Sequence, residues 1–74
     1  MMEEGRVIDY ITDAIARKEL ERKRPLLVTL RDIVAALGPD ALPVLRTLAR
    51  EGRIHFGRTL NGHWFSIYSR DHLL

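Results

Sequence analysis

The chain has 74 residues, 46% of them apolar and 30% charged, with a formal net charge of +2 and no cysteine. That profile fits one small domain, excludes disulfide staples, thiolate metal knuckles and thiol nucleophiles, and leaves little room for an enclosed active site, since a domain this size buries only roughly 60% of its unfolded surface. The charge is segregated: residues 1–21 carry six acids and three bases, residues 22–74 carry nine bases and four acids, and ten of the twelve bases are arginine, whose planar fork suits phosphate, carboxylate or a guanine edge.

The first residues lack the basic start and apolar stretch of a signal peptide. The longest apolar block, Leu26-Leu27-Val28 with Leu30, is too short to cross a bilayer, so a cytoplasmic location without membrane contact is expected. No repeat, low-complexity tract or linker interrupts the sequence, which predicts a single domain over residues 1–74, ordered over about 3–69. A first helix over residues 3–22 follows from Val7, Ile8, Ile11, Ala14 and Ile15 at helical spacing, with acids at its start and Arg22-Lys23-Arg24 at its end to match the helix dipole. Pro25 is expected to stop it. Asp13 with Arg17 and Glu19 with Lys23 are spaced as i,i+4 pairs.

Residues 26–28 are too few for a helix and too apolar for a loop, which predicts a brief strand in need of a partner later in the chain. Thr29 is a good N-cap, followed three residues on by Asp32, and predicts a second helix over 30–37 ended by Gly38. Pro39-Asp40 makes a corner, and a third helix over 40–51 closes at Gly52, although Pro43 leaves its start open by a few residues. Two helices across a three-residue corner make a helix-turn-helix. Beyond Gly52 the period changes to two, predicting strands over 53–58 and 63–68 around Asn61-Gly62, closed by a two-residue Asn61-Gly62 turn or a four-residue loop from Thr59 to Gly62. Either closure puts Ile54, Phe56, Phe65 and Ile67 on one side and His55, Trp64, Ser66 and Tyr68 on the other.

The order helix, short strand, helix, turn, helix, hairpin resembles the winged helix-turn-helix family, an α+β fold. The resemblance covers nearly the whole chain: Thr29 to Gly38 looks like the family's second helix, Ala41 to Gly52 like its third, and Arg53 to Tyr68 like its wing. It implies a three-stranded antiparallel sheet that includes the orphan strand. It also implies non-catalytic binding of double-stranded DNA in transcriptional control, with the third helix in the major groove and the wing on the flanking backbone. A helical wheel gathers Ala41, Leu42, Leu45, Leu48 and Ala49 on one side and leaves Pro43, Arg46, Thr47 and Arg50 facing outward, so these four, with Arg58 near the hairpin tip, are the expected DNA contacts. The competing use of Arg46, Arg50 and Arg58 is pairing with Glu51 or other acids. A winged helix that docks a protein partner and never touches nucleic acid is the rival reading, with RNA a third.

Other candidates carry less. Asp9 and Asp13 can form a paired-carboxylate site but have Arg6 and Arg17 nearby to neutralise them. His55 and His63 fall on opposite hairpin faces and His72 lies beyond the last strand, so no metal site is expected, nor any cofactor. No phosphate loop, nucleophile elbow or other catalytic constellation occurs, and enzymatic activity is not expected. Trp64 and Tyr68 are large aromatics on the face away from Phe56 and Phe65. Trp64 covers the bare backbone of Gly57 with the first helix wrapped beneath it, or the two residues mark a homodimer interface, with base stacking a third use.

Overall fold

Three residues of the predicted first-helix stripe, Val7, Ile11 and Ile15, are fully buried in the computed structural model, which describes residues 2–72. The helix that carries them, α1 (Glu4–Leu20), is followed by β1 (Val28–Thr29), α2 (Leu30–Leu37), α3 (Ala41–Arg50), β2 (His55–Thr59), β3 (Gly62–Ser66) and a 3-10 turn, Arg70–His72. The domain is α+β: three helices and one antiparallel sheet of order β1-β3-β2, an element order consistent with a winged helix. Val7, Ile11 and Ile15 meet Ile33 of α2, Leu45 and Leu48 of α3, and Val28 and Phe65 of the sheet in a single core.

Pro25 does not end α1. The helix closes at Leu20, where Arg22 takes a left-handed φ of 56° and lets Arg22 N–H donate to the Glu19 carbonyl (3.1 Å) and Lys23 N–H to the Lys18 carbonyl (2.8 Å). Two of the last helical carbonyls are thereby satisfied by a Schellman closure. Gly52, at φ 74°, ends α3 the same way: its N–H reaches the Ala49 carbonyl (3.1 Å) and Arg53 N–H reaches that of Leu48 (2.9 Å). The Thr29 side chain caps α2 by accepting from Asp32 N–H at 3.2 Å, and Gly38-Pro39-Asp40 is the corner into α3, which starts at Ala41.

The predicted strands shift for identifiable reasons. β1 is Val28–Thr29 rather than 26–28, because the Leu26 carbonyl accepts from the Ser66 hydroxyl (2.8 Å) instead of a ladder N–H, and Leu27 N–H turns back to Pro25. β2 starts at His55 rather than 53, since Arg53 N–H is committed to closing α3. β3 ends at Ser66 rather than 68, where Tyr68 N–H bonds the Ser66 hydroxyl oxygen (3.0 Å). Ser66 is fully buried; its hydroxyl donates to the segment just ahead of β1 and accepts from Tyr68 N–H two residues on, so both its bonding directions are used. In the hairpin Arg58 pairs with His63 and Thr59 with Gly62, leaving Leu60-Asn61 as the loop. That is the register of the longer closure closed by one further pair.

Candidate nucleic-acid interface

The outward face of α3 differs from the helical wheel in one respect. Val44 is buried with Ala41, Leu45 and Leu48, while Leu42 is 42% exposed. Rotating the core-facing arc toward Val44 turns Leu42 and Ala49 to its margin, beside Arg46 and Arg50. Pro43, Arg46 and Arg50 are exposed and Thr47 is half-buried. The Thr47 hydroxyl donates to the Pro43 carbonyl at 3.0 Å, so its proton is already used and it has none free to offer a phosphate oxygen.

Across the sheet, Val28, Phe65 and Phe56 form one row and Thr29, Trp64 and Gly57 the next, on the opposite face. The expected contrast between the two aromatic faces is reversed. Trp64 is only 8% exposed, whereas Phe56 is 57% exposed. The indole lies over Gly57 so closely that a Cβ on that glycine would sit 2.5 Å from three ring atoms, which confirms the covering of Gly57 and removes the exposure that suggested a dimer contact at Trp64. Tyr68 is half-buried, and its phenol donates to Glu19 Oε1 of α1 at 2.9 Å. That hydrogen bond, together with the charge of the Glu19 carboxylate, raises the Tyr68 pKa above its ordinary value of 10.0.

Between α3 and the hairpin, two adjoining hollows share Leu30, Leu42 and His63 and make one groove. One hollow runs along α3, where Leu45, Phe56 and Phe65 floor it and Arg46 and Arg50 stand at its wall. The other runs from Arg31 and Val34 of α2 to the hairpin tip at Leu60, which is fully exposed. No aspartate or glutamate lines either hollow among the described residues. Arg58 projects from the same sheet face as Phe56 and His63, its cross-strand neighbour, without lining the groove; Pro43 and Thr47 lie outside it as well. The structure thus brings Arg46 and Arg50 together and adds Arg31, His63, Leu42 and Phe56, which reasoning from sequence did not select. Arg58 was selected by its place near the hairpin tip; the alternation that set His63 opposite His55 already put His63 on the Phe56 face, so part of this wall was available from strand period alone.

Arg31, Arg46, Arg50 and Arg58 have no ion pair among the described residues. Glu51, the expected competitor, lies 3.9 Å from Arg53, which itself holds Glu4 Oε1 at 2.8 Å. The expected Glu19 pair with Lys23 is absent because α1 ends before Lys23 completes the turn, and Lys23 lies 3.5 Å from Glu21 instead. Asp9 and Asp13 likewise form no ion pair with Arg6 or Arg17. No cluster of three or more His, Asp or Glu suited to a metal ion occurs among the described residues, and none of their helices is long and apolar enough to cross a membrane. Comparison with protein-family models, curated proteins and solved structures finds no match.

Proposed function

We propose that this chain binds double-stranded DNA non-covalently, as a small regulator of transcription, with α3 in the major groove and the β2–β3 hairpin on the adjoining backbone. The observation that carries the reading is the acid-free groove wall, whose arginines spend none of their charge on the protein itself. Arginines that stabilised the fold would have carboxylate partners; unpaired arginines along an outward helix face keep their hydrogen-bond forks for phosphates or guanine edges. Arg46 and Arg50 are one helical turn apart, which suits two contacts along a single groove. Homodimerisation, which would supply two such helices, belongs to the same proposal.

A protein-docking module is the second reading, favoured by the apolar groove floor and by the exposure of Leu42, Phe56 and Leu60. Apolar area of that kind is a common feature of protein interfaces.

Titration of generic duplex DNA at low and raised salt separates the two. Replacing Arg46 and Arg50 together by Ala is expected to weaken binding, with the log-log salt slope shrinking by about one for each phosphate no longer neutralised. If one of them reads a guanine, the loss concentrates at one base position, at roughly 1–3 kcal/mol. Replacing Asp9 and Asp13, on a different helix, is expected to leave affinity unchanged. A correctly folded double arginine variant that binds every duplex like wild type would transfer the preference to protein docking.

A further inference from the structure

The crest of α3 accounts for a duplex, but the hollow beside it does not. The major groove is about 12 Å wide and admits a helix, while the rims that pass over neighbouring protein surface are phosphates. A floor made of Leu30, Leu42, Leu45 and Phe56 offers phosphates nothing and would strip their water. An unpaired strand has the complementary chemistry, with apolar base faces on one side and phosphates on the other. The hollow along α3 is open to solvent and has a volume of about 440 Å³, within the range of clefts that take small ligands. Its exposed aromatic, Phe56, stands on the hairpin side and its unpaired arginines on the helix side, the pairing of stacking platform and charge by which single strands are held.

We propose that the groove between α3 and the β2–β3 hairpin binds a segment of single-stranded DNA, with a base stacked on Phe56 and the phosphates on Arg46 and Arg50. The inference deepens the DNA-binding reading and rests on it for the two arginines, whereas the role of Phe56 is additional. DNA is taken as the strand because the inference rests on the DNA-binding reading for Arg46 and Arg50; the apolar floor offers a 2′-hydroxyl no partner, and the hydrogen-bonding side chains of the hollow, His63, Arg46 and Arg50, stand at its wall. With no acid along it, a strand can follow this groove without bringing its phosphates past a carboxylate.

The test is isothermal titration of the whole chain with oligothymidylate of about twelve nucleotides, within the usual site size, and in parallel with a mixed-sequence duplex and with the matching oligouridylate. Phe56→Leu keeps an apolar side chain opposite Phe65 and is expected to bind oligothymidylate about tenfold more weakly while duplex affinity changes less than about twofold. Phe56→Tyr is expected to restore the loss. Duplex binding without oligothymidylate binding, or an equal loss of both in Phe56→Leu, overturns the inference and leaves the duplex reading standing. Equal affinity for oligouridylate overturns the choice of DNA. A dimer that dissociates in Phe56→Leu shows a second copy in the groove and overturns it also. Failure to bind any nucleic acid removes both readings together.

Discussion

At the scale of single residues, backbone conformation at Arg22 and electrostatics at Tyr68 give the clearest expectations. Arg22 and Gly52 occupy equivalent positions in two Schellman closures, with φ of 56° and 74°. An L side chain in the left-handed region costs about 1–2 kcal/mol, from which glycine is exempt. Arg22→Gly is therefore expected to gain roughly 0.5–1 kcal/mol after the larger entropy loss of glycine is counted, and Gly52→Ala to lose about 1 kcal/mol or more, in denaturant titration. A loss in Arg22→Gly would mean that the arginine side chain contributes more than its backbone strain costs. Tyr68 supplies a pH dependence. Its pKa is raised in the folded chain, so its contribution to stability is whole below the unfolded phenol value, about pH 10, and is lost as pH rises through the folded value. Subtracting the alkaline ultraviolet titration of Tyr68→Phe from that of wild type should isolate a midpoint above 10.0, and Glu19→Gln should move it back down. A midpoint indifferent to Glu19→Gln would contradict the assignment.

At the scale of elements, the sheet explains what alternation alone could not. Strand period correctly put Trp64 and Phe56 on opposite faces, but which of them is covered depends on how far each row extends beneath a neighbour. Val28 and Phe65 are buried in the core, while Phe56, on the edge strand β2, reaches past it into the groove. On the other face, Gly57 leaves a gap that Trp64 fills by lying flat across the strand. Gly57→Ala is accordingly expected to cost about 1–3 kcal/mol through overpacking, and much less in a Trp64→Leu background, where the clash is gone. Sedimentation should be the same for wild type, Gly57→Ala and Trp64→Leu, because the ring that meets Gly57 is interior. A change in oligomeric state that follows Trp64 would return that residue to a subunit interface.

At the scale of the whole molecule, the order of elements was legible from sequence and so were most helix limits, because Thr29, Gly38 and Gly52 mark ends by local chemistry. Strand limits were less legible. They are set by long-range bonds, such as Ser66 with Leu26 across 40 positions, that no local pattern encodes. The candidate site was legible in part of its charge and not in its floor: Arg46 and Arg50 stand outward as the wheel requires, but Arg31 joins them, Arg58 falls outside, and Leu42 and Phe56 become part of a groove only once α3 and the hairpin pack side by side. The acids sort themselves accordingly. Six of the ten lie in residues 1–21, and both Glu4 and Glu19 are occupied in holding α1 to Arg53 and Tyr68. The acidic first helix thus stays anchored by its two ends while the basic groove remains unneutralised.

The chain has one tryptophan, and it lies on the sheet face opposite Phe56. Its emission should therefore be a reporter that is deaf to the groove. Emission should be blue-shifted in the native chain, move to the red as the indole leaves Gly57 on unfolding, and stay unquenched while DNA fills the other side. Trp64 emission then reports stability whether or not the groove is occupied, and quenching of Trp64 in proportion to bound DNA would show that the nucleic acid had found a different surface.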